Sequence, residues 1–321
     1  MFEKYYGFTG RPFQLTPDPS FFFSSKTHLK AVSYLIYGLG QGEGFIVLTG
    51  EVGAGKTTLL RHLLTRLDRD QYVAAQIETS QLGADDMLRM VALAFAIPLA
   101  GDKASLLAAI RTFLLARHTE GRRCLLLIDE AQNLSIPALE ELRMLSNFQV
   151  GGKSLMQSFL VAQPQFRSII AGADLDQLRQ RVIASCHLGP MDEAETGAYI
   201  DHRLRKAGWR LDPALAPDCA PAVHRHSGGI PRRINTLMSR LLLLGSLETL
   251  HYLTGAMVND VSAELGSEME APAQSPVGAK RLAPLPMIDI ARRLQQLDAR
   301  SVRHDKALKR TLGLLAELVA R

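Results

Sequence analysis

The run Gly50-Glu-Val-Gly-Ala-Gly-Lys56-Thr57 fits the pattern G-x-x-x-x-G-K-[ST] in full, between the apolar run FIVLT and the amphipathic run TTLLRHLL. A chance glycine-rich turn would not need a strand before it and a helix after it. This placement calls for a parallel sheet whose strand delivers a phosphate-binding loop to a helix N-terminus. Gly50, Gly53 and Gly55 allow backbone N–H groups to curl around phosphate oxygens. Lys56 is placed to reach the β- and γ-phosphates of ATP, and the Thr57 hydroxyl to ligate Mg²⁺. Gly50, Glu51, Val52, Gly53, Ala54, Gly55, Lys56, Thr57 and Thr58 therefore form the candidate nucleotide-binding set.

A second signal is Cys124-Leu-Leu-Leu-Ile-Asp129-Glu130, an apolar strand ending in two acids. A strand-terminal Asp beside such a loop holds Mg²⁺, so Thr57 and Asp129 are the candidate metal ligands. Glu130 can then orient and deprotonate an attacking water, which argues for hydrolysis over binding alone.

Apolar runs at 45–49, 72–78, 123–128, 155–162 and 184–188 read as five strands buried on both faces. Helical patterns fill 27–39, 56–67, 84–95, 103–118, 136–146 and 175–181, so the expected class is α/β with a five-stranded parallel sheet. After Pro190 the strand pattern stops, and Asp192 with Glu195 makes a capping box for a helix through Lys206. The expected organisation is an ATPase core over 1–189, an all-helical lid over 190–265, a linker over 266–286 and a basic helical tail over 287–321.

Ten Lys/Arg and four acids give residues 280–321 a charge of +6, so the total of +5 leaves −1 on the other 279 residues. The basicity belongs to the tail, and a basic total is no sign that the body clamps nucleic acid. No apolar stretch approaches the ~18 residues a membrane span needs. The N-terminus MFEKYYGF lacks the basic start and apolar run of a signal peptide, and Cys124, Cys186 and Cys219 show no metal-type spacing. These features predict a cytoplasmic protein with reduced structural thiols.

The span from residue 5 to about 265 resembles AAA+ ATPases of the general secretion pathway protein A type. The match is carried by YYGFTGRPFQLTPDPSFFF, YGLGQGEGFIVLTGEVGAGKTTL, LLLIDEAQNL, ALEELRMLSNFQ, LRQRVIASCHLGPMDEAE and SGGIPRRINTL. Within that group it is most similar to the subfamily associated with exosortase/PEP-CTERM loci for exopolysaccharide production. The resemblance implies an AAA+ core, Mg-ATP hydrolysis and self-assembly into a ring, a hexamer. Its partners would be envelope polysaccharide or secretion components at the inner membrane. Gln163 stands where the family has its first sensor. Arg181 matches the arginine-finger region, with Arg179 as competitor, and Arg232 matches the second sensor, with Arg233 beside it. The aromatics within residues 11–23 either wall the base or pack in the core. Larger relatives continue into a membrane span and a peptidoglycan-binding domain; neither is read in this sequence, which argues against a direct role in anchoring to the cell wall.

The resemblance does not cover the tail. Leu308, Leu312, Leu315 and Val319 form a short apolar seam out of phase with Leu294 and Leu297, which does not make a long coiled coil. Docking on a protein, resting on anionic membrane and nucleic-acid contact all remain open for it. Besides the envelope-associated motor, a DNA-linked ATPase of the transposition-accessory or loader kind and a nucleotide-gated scaffold share the same core features.

Overall fold

Period-two burial along three strands organises the molecule. A computed structural model describes residues 2–269, apart from Pro17, residues 79–82 and Ala100. In β1 (Phe45–Gly50), Phe45 and Val47 face one layer and Ile46 and Leu48 the other. In β3 (Arg123–Asp129), Leu126 and Ile128 face the first layer and Leu125 and Leu127 the second. β4 (Met156–Ala162) repeats the alternation with Leu160 against Phe159 and Val161. A strand apolar at every position is the consequence of helices on both faces. With β2 (Tyr72–Glu78) and β5 (Val182–Leu188) these strands form one parallel sheet in the order β2-β3-β4-β1-β5.

Helices α1 (Lys26–Gln41) and α2 (Lys56–Leu64) cover one face. Helices α3 (Ala84–Ala94), α4 (Lys103–Thr119) and α5 (Ile136–Leu145) cover the other. Local chemistry sets their ends: the Ser25 side chain accepts from His28 N at the start of α1, and Ser135 caps α5 by accepting from Ala138 N. Such caps contribute about 1 kcal/mol each.

Past β5 a separate cluster of apolar side chains is built on α6 (Glu193–Lys206), α7 (Cys219–Ser227), α8 (Pro231–Leu247) and α9 (Gly255–Met269). The Asp192–Glu195 capping box is present in both directions at the start of α6. Tyr6, Phe8 and Phe13 are buried in this same cluster, so the N-terminal arm packs with helices near the far end of the chain.

Several elements differ from the sequence reading. Residues 149–150 and 153–154 form a hairpin across Gly151-Gly152, too short to leave an apolar signature. A one-turn helix, Phe166–Ile170, follows β4, and the helix expected over 175–181 is a 3-10 turn at Ala173–Leu175 followed by Asp176–Arg179. Ala214–Leu215 pairs in parallel with Tyr252–Leu253 within the region expected to be all helical. Helix α9 runs through residues 266–269, the start of the stretch read as a linker. Residues 270–321, with the rest of that linker and the whole basic tail, lie outside the described residues. All three cysteines are buried and free; burial pushes the Cys124 and Cys219 thiols up to about 12.

Candidate nucleotide site

β1 ends at Gly50 between β4 and β5, and the chain turns through Gly53 and Gly55, at φ +83° and +94°, into α2. Both residues sit in the left-handed region that favours glycine. A Cβ on Gly53 would lie 2.3 Å from the Cβ of Arg232, so glycine is also needed for the loop to approach α8. The Ala54 side chain is buried in the layer beneath α1, and its N–H donates to Glu51 O at 3.1 Å. Val52 is exposed at the lip of the cleft.

Lys56 is 6% exposed and donates from Nζ to Gly50 O at 2.7 Å and to Glu51 O at 3.0 Å. Burial holds its pKa below the ordinary lysine value, against the opposing pull of the Glu130, Asp129 and Glu51 charges. Thr57 donates from Oγ1 to Asp129 Oδ2 at 2.6 Å, bringing the first residues of α2 onto the end of β3. Asp129 Oδ1 accepts the Glu130 N–H at 2.9 Å. The two candidate metal ligands are therefore in direct contact.

Glu130 has φ +53°, an uncommon conformation for a residue with a side chain. Its Oε2 accepts from the Gln163 Nε2 at 3.1 Å and also from the Gln132 side-chain amide. Gln132 Oε1 in turn accepts the Gln163 N–H at 3.0 Å. Two glutamines thus hold one carboxylate oxygen and each other. Gln163 stands at the end of β4 as its strand position suggested. Gln132 was not anticipated; its signal was its place two residues after Glu130, on a one-turn 3-10 helix that faces β4.

Arg232 donates its backbone N–H to Gly53 O at 3.1 Å, and its side chain lines the same cleft as Lys56, Thr57, Thr58 and Glu130. Arg233, beside it, is exposed. The cleft holds about 210 Å³ and continues from the phosphate-binding loop to Phe21, Phe22 and Phe23. Phe13 is buried in the helical cluster, while Phe21 and Phe23 pack against that cluster, Phe22 packs against the layer of α1 and α2, and all three also line the cleft. Phe22 stacks on His62 at 4.1 Å and meets His28 edge-on at 5.6 Å. His28 is buried against the loop, its Nδ1 2.6 Å from Ser25 Oγ, and burial pushes its pKa down to about 4.

Arg181 and Arg179 are not brought to this cleft. The Arg181 carbonyl accepts the Phe45 N–H, at the opposite end of β1 from Gly50, and Arg181 Nη1 donates to Ser146 Oγ at 2.8 Å. At roughly 3.3 Å per strand residue, that is about 17 Å from the loop. Arg179 lies on the surface in an ion pair with Asp176 at 2.8 Å.

Mg²⁺ and ATP fit these side chains. Among the described residues no three His, Cys, Asp or Glu gather to hold a metal, so a cation bound by Thr57 and Asp129 needs further oxygens. A triphosphate on the loop supplies them, as hard cations of this size require.

The sheet order, the loop after β1 and the acids closing β3 define a P-loop ATPase fold of the AAA+ type. Residues 39–170 match the AAA domain family. General secretion pathway protein A of Aeromonas hydrophila is 38% identical over 245 residues, which are 76% of this chain and 44% of that protein. The chain therefore spans less than half the length of this relative. Among solved structures, Cdc6p from Pyrobaculum aerophilum superposes with a TM-score of 0.60 at 15% identity, over 80% of this chain and 75% of that one. The RuvB Holliday junction branch migration motor of Thermotoga maritima gives 0.53 at 20% identity, over 78% and 74%. These likenesses show the fold. No helix among the described residues is long and apolar enough to cross a membrane.

Proposed function

We propose that this chain hydrolyses ATP to ADP and phosphate with Mg²⁺, as one subunit of an AAA+ ring. The observation that carries the reading is the Thr57–Asp129 contact beside a Glu130 carboxylate held by two amides. Lys56 binds the β- and γ-phosphates, exchanging its loop carbonyls for phosphate oxygens. Thr57 and Asp129 hold Mg²⁺, which when bound offsets negative charge on the phosphate oxygens. Glu130 accepts the proton of the attacking water, with Gln163 and Gln132 fixing the direction of its carboxylate. Arg232 approaches from α8. Arg181, or Arg179, acts on the nucleotide of a neighbouring subunit, which its distance from its own cleft favours.

The finer role is part of the same proposal: an oligomeric motor or switch, hexameric, assisting secretion or exopolysaccharide machinery from the cytoplasmic side of the inner membrane. Support comes from the general secretion pathway relative. The exosortase/PEP-CTERM subfamily rests on the motif string alone.

The test is phosphate release across a protein concentration series with Mg²⁺ or EDTA, alone, with duplex DNA and with anionic liposomes. Glu130→Gln is expected to keep ATP binding and lose turnover by about a hundred-fold. Unchanged turnover removes Glu130 from the base role. Stimulation by DNA and not by liposomes replaces the envelope reading with that of a DNA-linked ATPase.

A further inference from the structure

Arg203 is the most unusual charge among the described residues outside the phosphate end. It is 6% exposed, lies on α6 and lines the cleft at its aromatic end. Its guanidinium sits 4.8 Å from the Phe21 ring centroid and 5.6 Å from that of Tyr199. A guanidinium carries five N–H donors. Among the described residues Arg203 makes one hydrogen bond, from Nη2 to Gln14 O at 3.1 Å, and no carboxylate pairs with it within ion-pair distance. Its buried Nε has no partner. Burial draws its pKa below the ordinary arginine value, with Asp18 and Tyr199 opposing.

A cation this buried is ordinarily paired, because desolvation is costly. Two aromatic faces offset part of that cost but use none of the N–H groups. Packing alone would be served as well by methionine or leucine. The guanidinium and both rings beside it line the cleft that also holds Lys56, so its unused donors lie where a ligand on the loop would extend.

We propose that Arg203 is a base-reading residue: its guanidinium donates to a ring-nitrogen acceptor of the purine of a nucleoside triphosphate whose phosphates lie on the Gly50–Thr57 loop. This rests on the nucleotide reading above and adds to it the residue that recognises the base. Purine edges carry such acceptors, and a planar donor fork matches them. Gln14 O, which also accepts from Asn235 Nδ2 at 3.3 Å, ties the N-terminal arm to α6 and α8 beside the guanidinium.

The experiment is calorimetric binding of ATP, 1-deaza-ATP, 3-deaza-ATP, 7-deaza-ATP and inorganic tripolyphosphate to the full chain, in the wild type and in Arg203→Met and Arg203→Lys. Expected is a loss of about ten- to a hundred-fold for one deaza analogue on the wild type, the size of a charge-assisted hydrogen bond. Arg203→Met should weaken ATP by a similar factor, bind ATP and that analogue alike, and bind tripolyphosphate as the wild type does. Equal binding of all three analogues and ATP by the wild type overturns the assignment, as does a variant that keeps the discrimination. Should Arg203→Met fail to fold, the wild-type analogue series decides without it, and Arg203→Lys shows whether charge alone suffices. Failure of the wild type to bind ATP at all sinks the nucleotide reading itself, a different result from binding without discrimination.

Discussion

The two ends of the cleft are built on opposite plans. At the end formed by the Gly50–Thr57 loop the polar groups satisfy one another: Lys56 on its own loop, Thr57 on Asp129, Glu130 between two glutamines. Its parts come from a few short segments at the tips of parallel strands, and the sheet holds them. At the aromatic end the groups come from an arm near the N-terminus, α6 and α8, and Gln14 O joins them by accepting from both helices. There a buried arginine keeps most of its donors unspent. One end is preorganised by the sheet; the other is completed by the packing of segments nearly 200 positions apart.

This contrast can be broken by experiment. The largest effect is expected from Lys56→Ala, which should weaken ATP by at least about a hundred-fold by calorimetry while leaving the melting temperature nearly unchanged. Its two bonds go to carbonyls that water can reach once the side chain is gone. Normal ATP binding would end the phosphate-site assignment.

Gly53→Ala touches both ends at once. The new Cβ meets Arg232 at 2.3 Å on a backbone at φ +83°. A destabilisation of about 1–3 kcal/mol in urea unfolding is expected, with weaker ATP binding. Unchanged stability would mean that the loop and α8 are not in contact in solution.

Gln132→Ala should lower kcat by about ten-fold with KM unchanged, because it loosens Glu130 without touching the phosphate-binding groups. A rise in KM with kcat intact would place Gln132 in binding instead.

A further effect concerns pH and develops only below about pH 6.5. Folding lowers the His28 pKa from 6.5 to about 4, so between these values the unfolded chain binds more protons than the folded one. Stability is then full above about pH 6.5 and falls as pH drops toward 4. His28→Gln should flatten that part of the urea-midpoint profile; an unchanged slope would assign it to other groups.

The fold was largely legible because its strands are buried on both faces and read as continuous apolar runs. The elements missed are those too short for periodicity: the 149–154 hairpin, the Phe166–Ile170 turn and the Ala214–Leu215 pair. Lys56, Thr57, Asp129 and Glu130 stood out as candidates because a phosphate-binding motif places them close after a strand end, and the structure gathers them at one cleft. Gln163 was named only through the family resemblance, and the structure sets its amide against Glu130. Gln132 was not singled out, since an amide after an acid has no meaning until β4 lies beside it. Arg203, in a helix with Arg205 and Lys206, was not singled out, since nothing local separates it from its exposed neighbours.

By itself, the sequence determined the sheet, the glycine-rich loop after β1 and the two acids at the end of β3, since each depends on local pattern and on residues adjacent in the chain. Tertiary structure alone decided that Phe13 is buried among the far helices and that Phe21, Phe22 and Phe23 line the cleft, Phe21 and Phe23 while packing on those same helices. It also decided that the Arg181 side chain is held at Ser146 and not at the cleft, and that Arg203 is buried close to two rings. The physical reason is the same in each case. Burial and pairing of a side chain depend on what is packed against it, and those neighbours are distant in sequence.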